Sequence, residues 1–248
     1  MSEMENAADY LDLLRVEASP LVPRISTPLL LAQPENAGLR ELVTKAPTNR
    51  RLYAGKRIAV LATDGVEEIE LTATVRYFHE RGATVELLAP AKPEYPAKYG
   101  VQIPAIRASH ILAIRYMDFG GWIAFDRRLE EARAADYDAA IVPGGAWNPD
   151  TLRADRHALQ FLRQIAEAGK PTAAICHGPW VLMDAGLVRN KRATCWWSLQ
   201  NDLTGAGATF VDEPAVVDGN IITARCPGDL PAFLAAVGAQ LVHGQSGG

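Results

Sequence analysis

The stretch Thr172-Ala173-Ala174-Ile175-Cys176-His177-Gly178-Pro179 decides how this chain is read. Its first four residues form a short run of the buried-strand type, and a helix is expected just past Cys176. A strand that turns sharply into a helix needs small residues two places before and two places after the turn, as in the G-x-S-x-G elbow. Ala174 and Gly178 fill those places. The turn would lift Cys176 above the sheet at a helix N-terminus, whose partial positive charge favours a thiolate. His177 can lower the thiol pKa further or carry protons. Free cysteine is also among the most buried residue types, so packing is the plain alternative. The small neighbours, the turn and the adjacent histidine favour a reactive thiol.

Working outward, strand and helix alternate from Lys56 onward. Strands are expected at Arg57–Thr63, Ala83–Ala89, Tyr137–Val142 and Thr172–Ile175, with short ones around Val211–Val217 and Ile221–Ala224. Helices are expected at Glu67–Arg81, Asp150–Ala168 and Asp229–Val242. Near-continuous apolar strands separated by helices predict an α/β fold with a parallel sheet covered on both faces. Pro93–Glu131 is irregular but carries Tyr95, Tyr99, Tyr116, Phe119, Trp122 and Phe125. It is expected to fold over the carboxyl edge of the sheet, where ligands bind in open α/β folds, or to form a dimer interface.

Residues 1–55 read as an arm preceding a domain over 56–248. A short amphipathic helix is possible at Asn6–Val16 and another at Ala37–Thr44. Pro20, Pro23, Pro28 and Pro34 punctuate the arm, and Leu29-Leu30-Leu31 is poorly suited to solvent. The arm is expected to be extended and to lie across the core or a second subunit, the alternative being a partly disordered leader.

With 25 basic and 29 acidic residues the chain has a net charge of -4. It has no basic run that would track phosphates, which argues against nucleic-acid binding. No stretch approaches the roughly 20 apolar residues of a membrane span, and the acidic Met1–Glu5 differs from a signal peptide. These features predict a cytoplasmic protein with no membrane partner. Cys176, Cys195 and Cys226 are odd in number and lack a C-x-x-C spacing, which fits neither a zinc site nor a disulfide framework. The histidines are scattered, so neither a metal nor another cofactor is expected.

Two further segments join the elbow. Pro143-Gly144-Gly145 ends the strand expected beside that of Cys176. Its backbone N–H groups, with that of His177, could form an oxyanion hole, or the glycines could simply make a βα turn. Glu67 and Glu68 suit the start of a helix as dipole partners, whereas Glu70 lies one turn inside and could direct its carboxyl toward Cys176. Asp118, Trp122, Trp147 and Trp196 complete the candidate substrate-binding set with Gly144 and Gly145.

The segments Asp64–Leu71, Asp138–Gly145, Ala174–Pro179, Ser198–Leu203 and Asp229–Phe233, in that order, resemble the ThiJ/PfpI superfamily and its PfpI-like intracellular protease/amidase branch. The resemblance spans roughly Lys56 to Val242. It implies a flavodoxin-like three-layer sandwich and a cysteine nucleophile at Cys176. It further implies that Glu70 is protonated and hydrogen-bonded to the thiolate. The implied activities are glutathione-independent glyoxalase, deglycase, peptidase or amidase, isonitrile hydratase and stress chaperone, commonly in a homodimer or higher oligomer. The leading expectation is a small reactive carbonyl as substrate. Thiol amidase chemistry, isonitrile hydration and a redox-responsive stress protein are the alternatives. This chain departs from the branch at Thr194-Cys195-Trp196-Trp197, where relatives often carry Trp-Pro. It departs again at Arg225-Cys226-Pro227, where relatives carry a basic residue before the proline. Both departures could reshape the pocket rim, and the arm could cap it.

Overall fold

The computed structural model describes residues 27–91 and 105–243. In chain order its strands are β1 (Arg57–Leu61), β2 (Val66–Glu67), β3 (Thr84–Ala89), β4 (His110–Arg115), β5 (Asp118–Ala124) and β6 (Arg127–Arg128). They continue with β7 (Ala139–Val142), β8 (Thr172–Ile175), β9 (Arg192–Ala193), β10 (Thr209–Phe210), β11 (Ala215–Asp218) and β12 (Ile221–Ala224). The helices are α1 (Thr27–Ala32), α2 (Ala37–Thr44), α3 (Glu68–His79), α4 (Trp147–Leu152), α5 (Arg156–Glu167), α6 (Pro179–Asp184), α7 (Gln200–Gly205) and α8 (Leu230–His243).

Seven strands form the central sheet in the order β11-β12-β8-β7-β1-β3-β6. All neighbours are parallel except the edge pair β11–β12. Side-chain alternation along the strands builds a core on each face. Ile58, Val60 and Ile141 point to one face, where Phe78 of α3, Leu39 of α2 and Phe233 of α8 pack. Ala59, Leu61 and Val142 point to the other, against Phe161 of α5, Leu182 of α6 and Leu203 of α7. The result is the expected flavodoxin-like sandwich, with the mainly parallel sheet as its middle layer. No helix among the described residues is long and apolar enough to cross a membrane.

Four expectations are corrected. The helix expected over Asp150–Ala168 is two helices, α4 and α5. Asp155 ends the first run and caps the second by accepting the N–H groups of His157 and Ala158 at 2.8 and 2.9 Å. The strand expected from Val211 begins at Ala215, because Thr209–Phe210 pair separately with β9. The irregular segment holds regular structure, a β4–β5 antiparallel pair joined to β2; residues 92–104 lie outside the described residues. The arm, expected to be extended apart from a possible helix at Ala37–Thr44, has that helix as α2 and is also helical over α1. Pro28 sits in the first turn of α1 and Pro34 opens a short 3-10 turn, Pro34–Asn36, between α1 and α2, places where a missing N–H costs nothing. Leu30 and Leu31 pack partly buried on the core, and Leu39 is fully buried. The helix proposed at Asn6–Val16 lies outside the described residues.

Candidate active site

The elbow is formed by crowding at the ends of three strands. Cys176 has φ +63°, in the left-handed region that L-residues avoid, and its N–H donates to the Ala224 carbonyl at 3.0 Å. Its own carbonyl accepts from Trp196 N–H at 2.8 Å. Strand β12 on one side and Trp196 on the other thus hold the strained residue in place. Gly178 closes the turn with an N–H bond to Ile175 O at 2.8 Å, and a Cβ there would strike the carbonyl of Val142. The small residue two places after the cysteine is therefore a steric requirement.

The glycine pair is equally constrained. A Cβ on Gly144 would lie 2.6 Å from Cys176 Cβ, 2.8 Å from Glu70 Oε2 and 3.0 Å from His177 N. Gly145 has φ +81°, and its missing Cβ would collide with the carbonyl of Gly65. Two turns, one after β1 and one after β7, thereby nest against each other beside the thiol. Asn148 locks them. Fully buried, it accepts Thr63 N–H at 2.8 Å and donates to Pro143 O at 2.8 Å and Gly144 O at 3.2 Å.

Glu70 is fully buried on α3 and lies against the Cys176 thiol. Its Oε2 accepts the Gly144 N–H at 2.6 Å, while Oε1 is buried without a hydrogen-bond partner. Burial pushes this carboxyl up to about 8, and the nearby Glu67 carboxylate adds to the effect. Glu70 therefore carries its proton at neutral pH. Burial also raises the Cys176 thiol, and a charged Glu70 would raise it further. The backbone N–H groups of Gly145 and His177 pull it back toward thiolate. A protonated Glu70 removes the like charge and offers a donor, so one proton serves the pair. The His177 Nδ1 stands 3.3 Å from Sγ, and the ring stacks on Trp196 at 5.5 Å between centroids. Burial lowers its pKa, which keeps the imidazole neutral.

Cys176, His177, Gly145 and Trp196 open onto one cavity of about 560 Å³. Gly144 and Glu70 lie directly behind the thiol. Asp118, Trp122 and Trp147 are not among the lining residues. Asp118 starts β5, opposite Arg115, and accepts Phe119 N–H at 3.0 Å. Trp122 is opposite Leu112, and Trp147 packs on Gly65. The lining also includes residues that the sequence did not single out for the site. Tyr116 and Met117 come from the β4–β5 turn, and Leu30 and Asn36 from the N-terminal segment. Glu67, read from sequence as a dipole partner, lines it too, accepting Tyr116 N–H at 2.9 Å and pushed up to about 7 by burial. Of the other thiols, Cys195 is buried with its pKa pushed up to about 12, and Cys226 reaches the cavity wall. Among the described residues no three His, Cys, Asp or Glu side chains are grouped to hold a metal ion.

Most of the chain is similar to known proteins. A Bacillus subtilis protein named "Putative cysteine protease YraA" is 37% identical over 179 residues, covering 72% of this chain and 94% of that one. The Escherichia coli protein named protein/nucleic acid deglycase 2 is 35% identical over 179 residues, covering 72% of this chain and 93% of its own. A crystal structure from Anabaena variabilis, of a two-domain protein with DJ-1/ThiJ/PfpI-like and ferritin-like domains, superposes with a TM-score of 0.65 at 32% identity. That match covers 77% of this chain and 49% of the Anabaena chain. The pattern of the DJ-1/PfpI family matches residues 56–240, from the start of β1 into α8 and through every element that holds Cys176 and Glu70, and the chain belongs to that family.

Proposed function

We propose that the chain is a cysteine-dependent enzyme acting on small reactive carbonyls, in the manner of a glutathione-independent glyoxalase or deglycase. One observation carries the reading. The Cys176 thiol is held between the buried Glu70 carboxyl, which burial pushes toward its protonated form, and the backbone N–H groups of Gly145 and His177. The deglycase name of its Escherichia coli relative accords with this.

In this reading the thiolate adds to the aldehyde carbon of a 1,2-dicarbonyl, and the carbonyl oxygen takes a proton to give a hemithioacetal. The N–H groups stabilise the negative oxygen as it develops. Glu70, now a carboxylate, or the neutral His177 removes the proton from that carbon. The electron pair passes toward the second carbonyl as an enediol. Reprotonation at the second carbon leaves a thioester of a 2-hydroxy acid, which water cleaves to the free acid and the thiol. One carbon is oxidised and its neighbour reduced, so the conversion is internally balanced.

Amide hydrolysis is the second reading, favoured by the 3.3 Å contact between Cys176 Sγ and His177 Nδ1 and by the protease name of a relative. Incubating the full chain with dicarbonyls, peptides and isonitriles, without glutathione, separates the readings. Appearance of a 2-hydroxy acid by NMR supports carbonyl chemistry, and peptide cleavage alone would replace it. A homodimer is supported by the exposed Tyr116, Met117 and Phe119 of the β4–β5 hairpin. A single-subunit mass in sedimentation equilibrium would remove it.

A further inference from the structure

Two residues that line the Cys176 cavity, Leu30 and Asn36, lie outside the family's span of 56–240. They are fixed in place. Asn36 Nδ2 donates to Leu30 O at 3.0 Å, and Arg40 Nη1 donates to Leu31 O at 2.8 Å. Three residues on from Asn36, Leu39 is fully buried against the sheet. The fit on the Cys226–Gly228 loop is close, since a Cβ on Gly228 would lie 2.9 Å from Asn36 Oδ1. The segment is thus a built wall of the cavity, added to a family core.

Among its described lining residues the cavity is apolar and lacks Lys and Arg. Leu30, Met117, Trp196 and Trp197 supply most of its character. Burial keeps His177 neutral, and Glu67 contributes acidity. Arg225, beside Cys226 in the sequence, is occupied: Nε donates to Asp229 Oδ2 at 2.8 Å and Nη1 to Asp212 Oδ1 at 2.7 Å. A volume of about 560 Å³ falls in the range of pockets for drug-sized ligands and far exceeds a three-carbon dicarbonyl.

We propose that residues 27–36 form a specificity wall of this cavity, through which Leu30 favours, among small reactive carbonyls and other electrophiles, those bearing an uncharged, apolar group of about aryl size over those lacking it or carrying an anionic group. The proposal rests on Cys176 being the nucleophile. It deepens the functional reading by naming the substrate class: a reactive carbonyl carrying an aryl or bulky alkyl substituent, without a carboxylate or phosphate.

Alkylation of the full-length protein tests it without depending on turnover. Rate constants at Cys176 are measured with iodoacetamide, N-benzyl iodoacetamide and iodoacetate, each normalised to a small free thiol and assigned by peptide mapping. The wild type is expected to favour the benzyl reagent over iodoacetamide by about tenfold or more, the scale set by burying an aromatic ring, and to disfavour iodoacetate. Leu30→Arg should cut the benzyl preference about tenfold and raise the relative rate of iodoacetate. Leu30→Gln keeps the side-chain length, and Leu39 keeps the segment docked. It should cut the benzyl preference alone, with an unchanged melting temperature as the check on folding. Glu41→Gln, on an exposed face, should leave the ratios as in wild type. Equal normalised rates in the wild type, or ratios that ignore both Leu30 changes, would overturn the wall while Cys176 stays reactive and the proposed function stands. Absence of labelling at Cys176 would overturn both.

Discussion

The Gly144 N–H donates to Glu70 Oε2 at 2.6 Å, and the same glycine faces Cys176 so closely that a Cβ would lie 2.6 Å from that of the cysteine. One residue just past β7 thus sets the distance between the Glu70 carboxyl and the Cys176 thiol. Gly144 is buried, so the Cβ of Gly144→Ala should displace Cys176 or Glu70, and a thermal melt checks that the variant folds. A displacement near 1 Å costs on the order of 10²-fold in rate. Iodoacetamide labelling of Cys176 and carbonyl turnover would both fall by about that factor. Wild-type rates in the variant would show that the spacing is not limiting.

Glu70→Gln separates the proton from the shape of the side chain. Turnover should slow by ~10²-fold or more, the range expected for a lost acid–base partner. Stability should respond as well. Glu70 keeps its proton in the fold up to about pH 8, whereas an ordinary glutamate loses it near 4.5. Across that window the unfolded chain binds fewer protons, so the fold loses stability as pH rises. Glu67, raised to about 7, acts in the same direction. The melting temperature of the wild type should fall between pH 5 and 8, and Glu70→Gln should flatten part of that slope. Parallel curves would mean that Glu70 is ionised in the fold.

Asn148 ties the turn after β1 to the turn after β7 with three hydrogen bonds. Asn148→Ala leaves the Thr63 N–H and the Pro143 carbonyl buried without partners, at a cost of about 1–3 kcal/mol for each unsatisfied group. Chemical denaturation should report the loss, and Cys176 labelling should slow with it. A variant as stable as the wild type would show that the two turns hold each other unaided.

Leu39 anchors the N-terminal segment. Leu39→Ala removes a fully buried side chain and should cost about 2–5 kcal/mol. A thermal melt that did not move would mean that α2 packs independently of the core.

The strands of the central sheet were legible because parallel strands buried on both faces read as near-continuous apolar runs, as in Ala139–Val142 and in β1 after Arg57. The elbow was legible because its steric needs fall on neighbouring residues, Ala174 and Gly178. The β4–β5 hairpin was not, since Gly120-Gly121 reads as loop. In the fold Gly120 lets the strand approach Glu68 and Ala113, where a Cβ would collide. In the arm, α2 was legible but α1 was not, because prolines break helix interiors yet suit helix starts, as Pro28 does in α1 and Pro34 in the 3-10 turn after it. Leu30 and Asn36 could not be placed at the cavity from sequence. Their position follows from the docking of Leu39, a contact between residues distant in the chain. Asn148 carried no signal, as a lone asparagine after a glycine pair reads as an ordinary turn.

The account stands on Cys176, and its most direct measurement is glutathione-free turnover of a 1,2-dicarbonyl by the wild type beside Cys176→Ser, Cys195→Ser and Cys226→Ser. Burial raises all three thiols, so the distinction between them rests on geometry. Only Cys176 sits at the elbow between Glu70 and the N–H groups of Gly145 and His177. The wild type should release the 2-hydroxy acid, Cys176→Ser should release none, and the other two should keep most of the rate. Full activity in Cys176→Ser, or an inactive Cys195→Ser beside an active Cys176→Ser, would contradict the account.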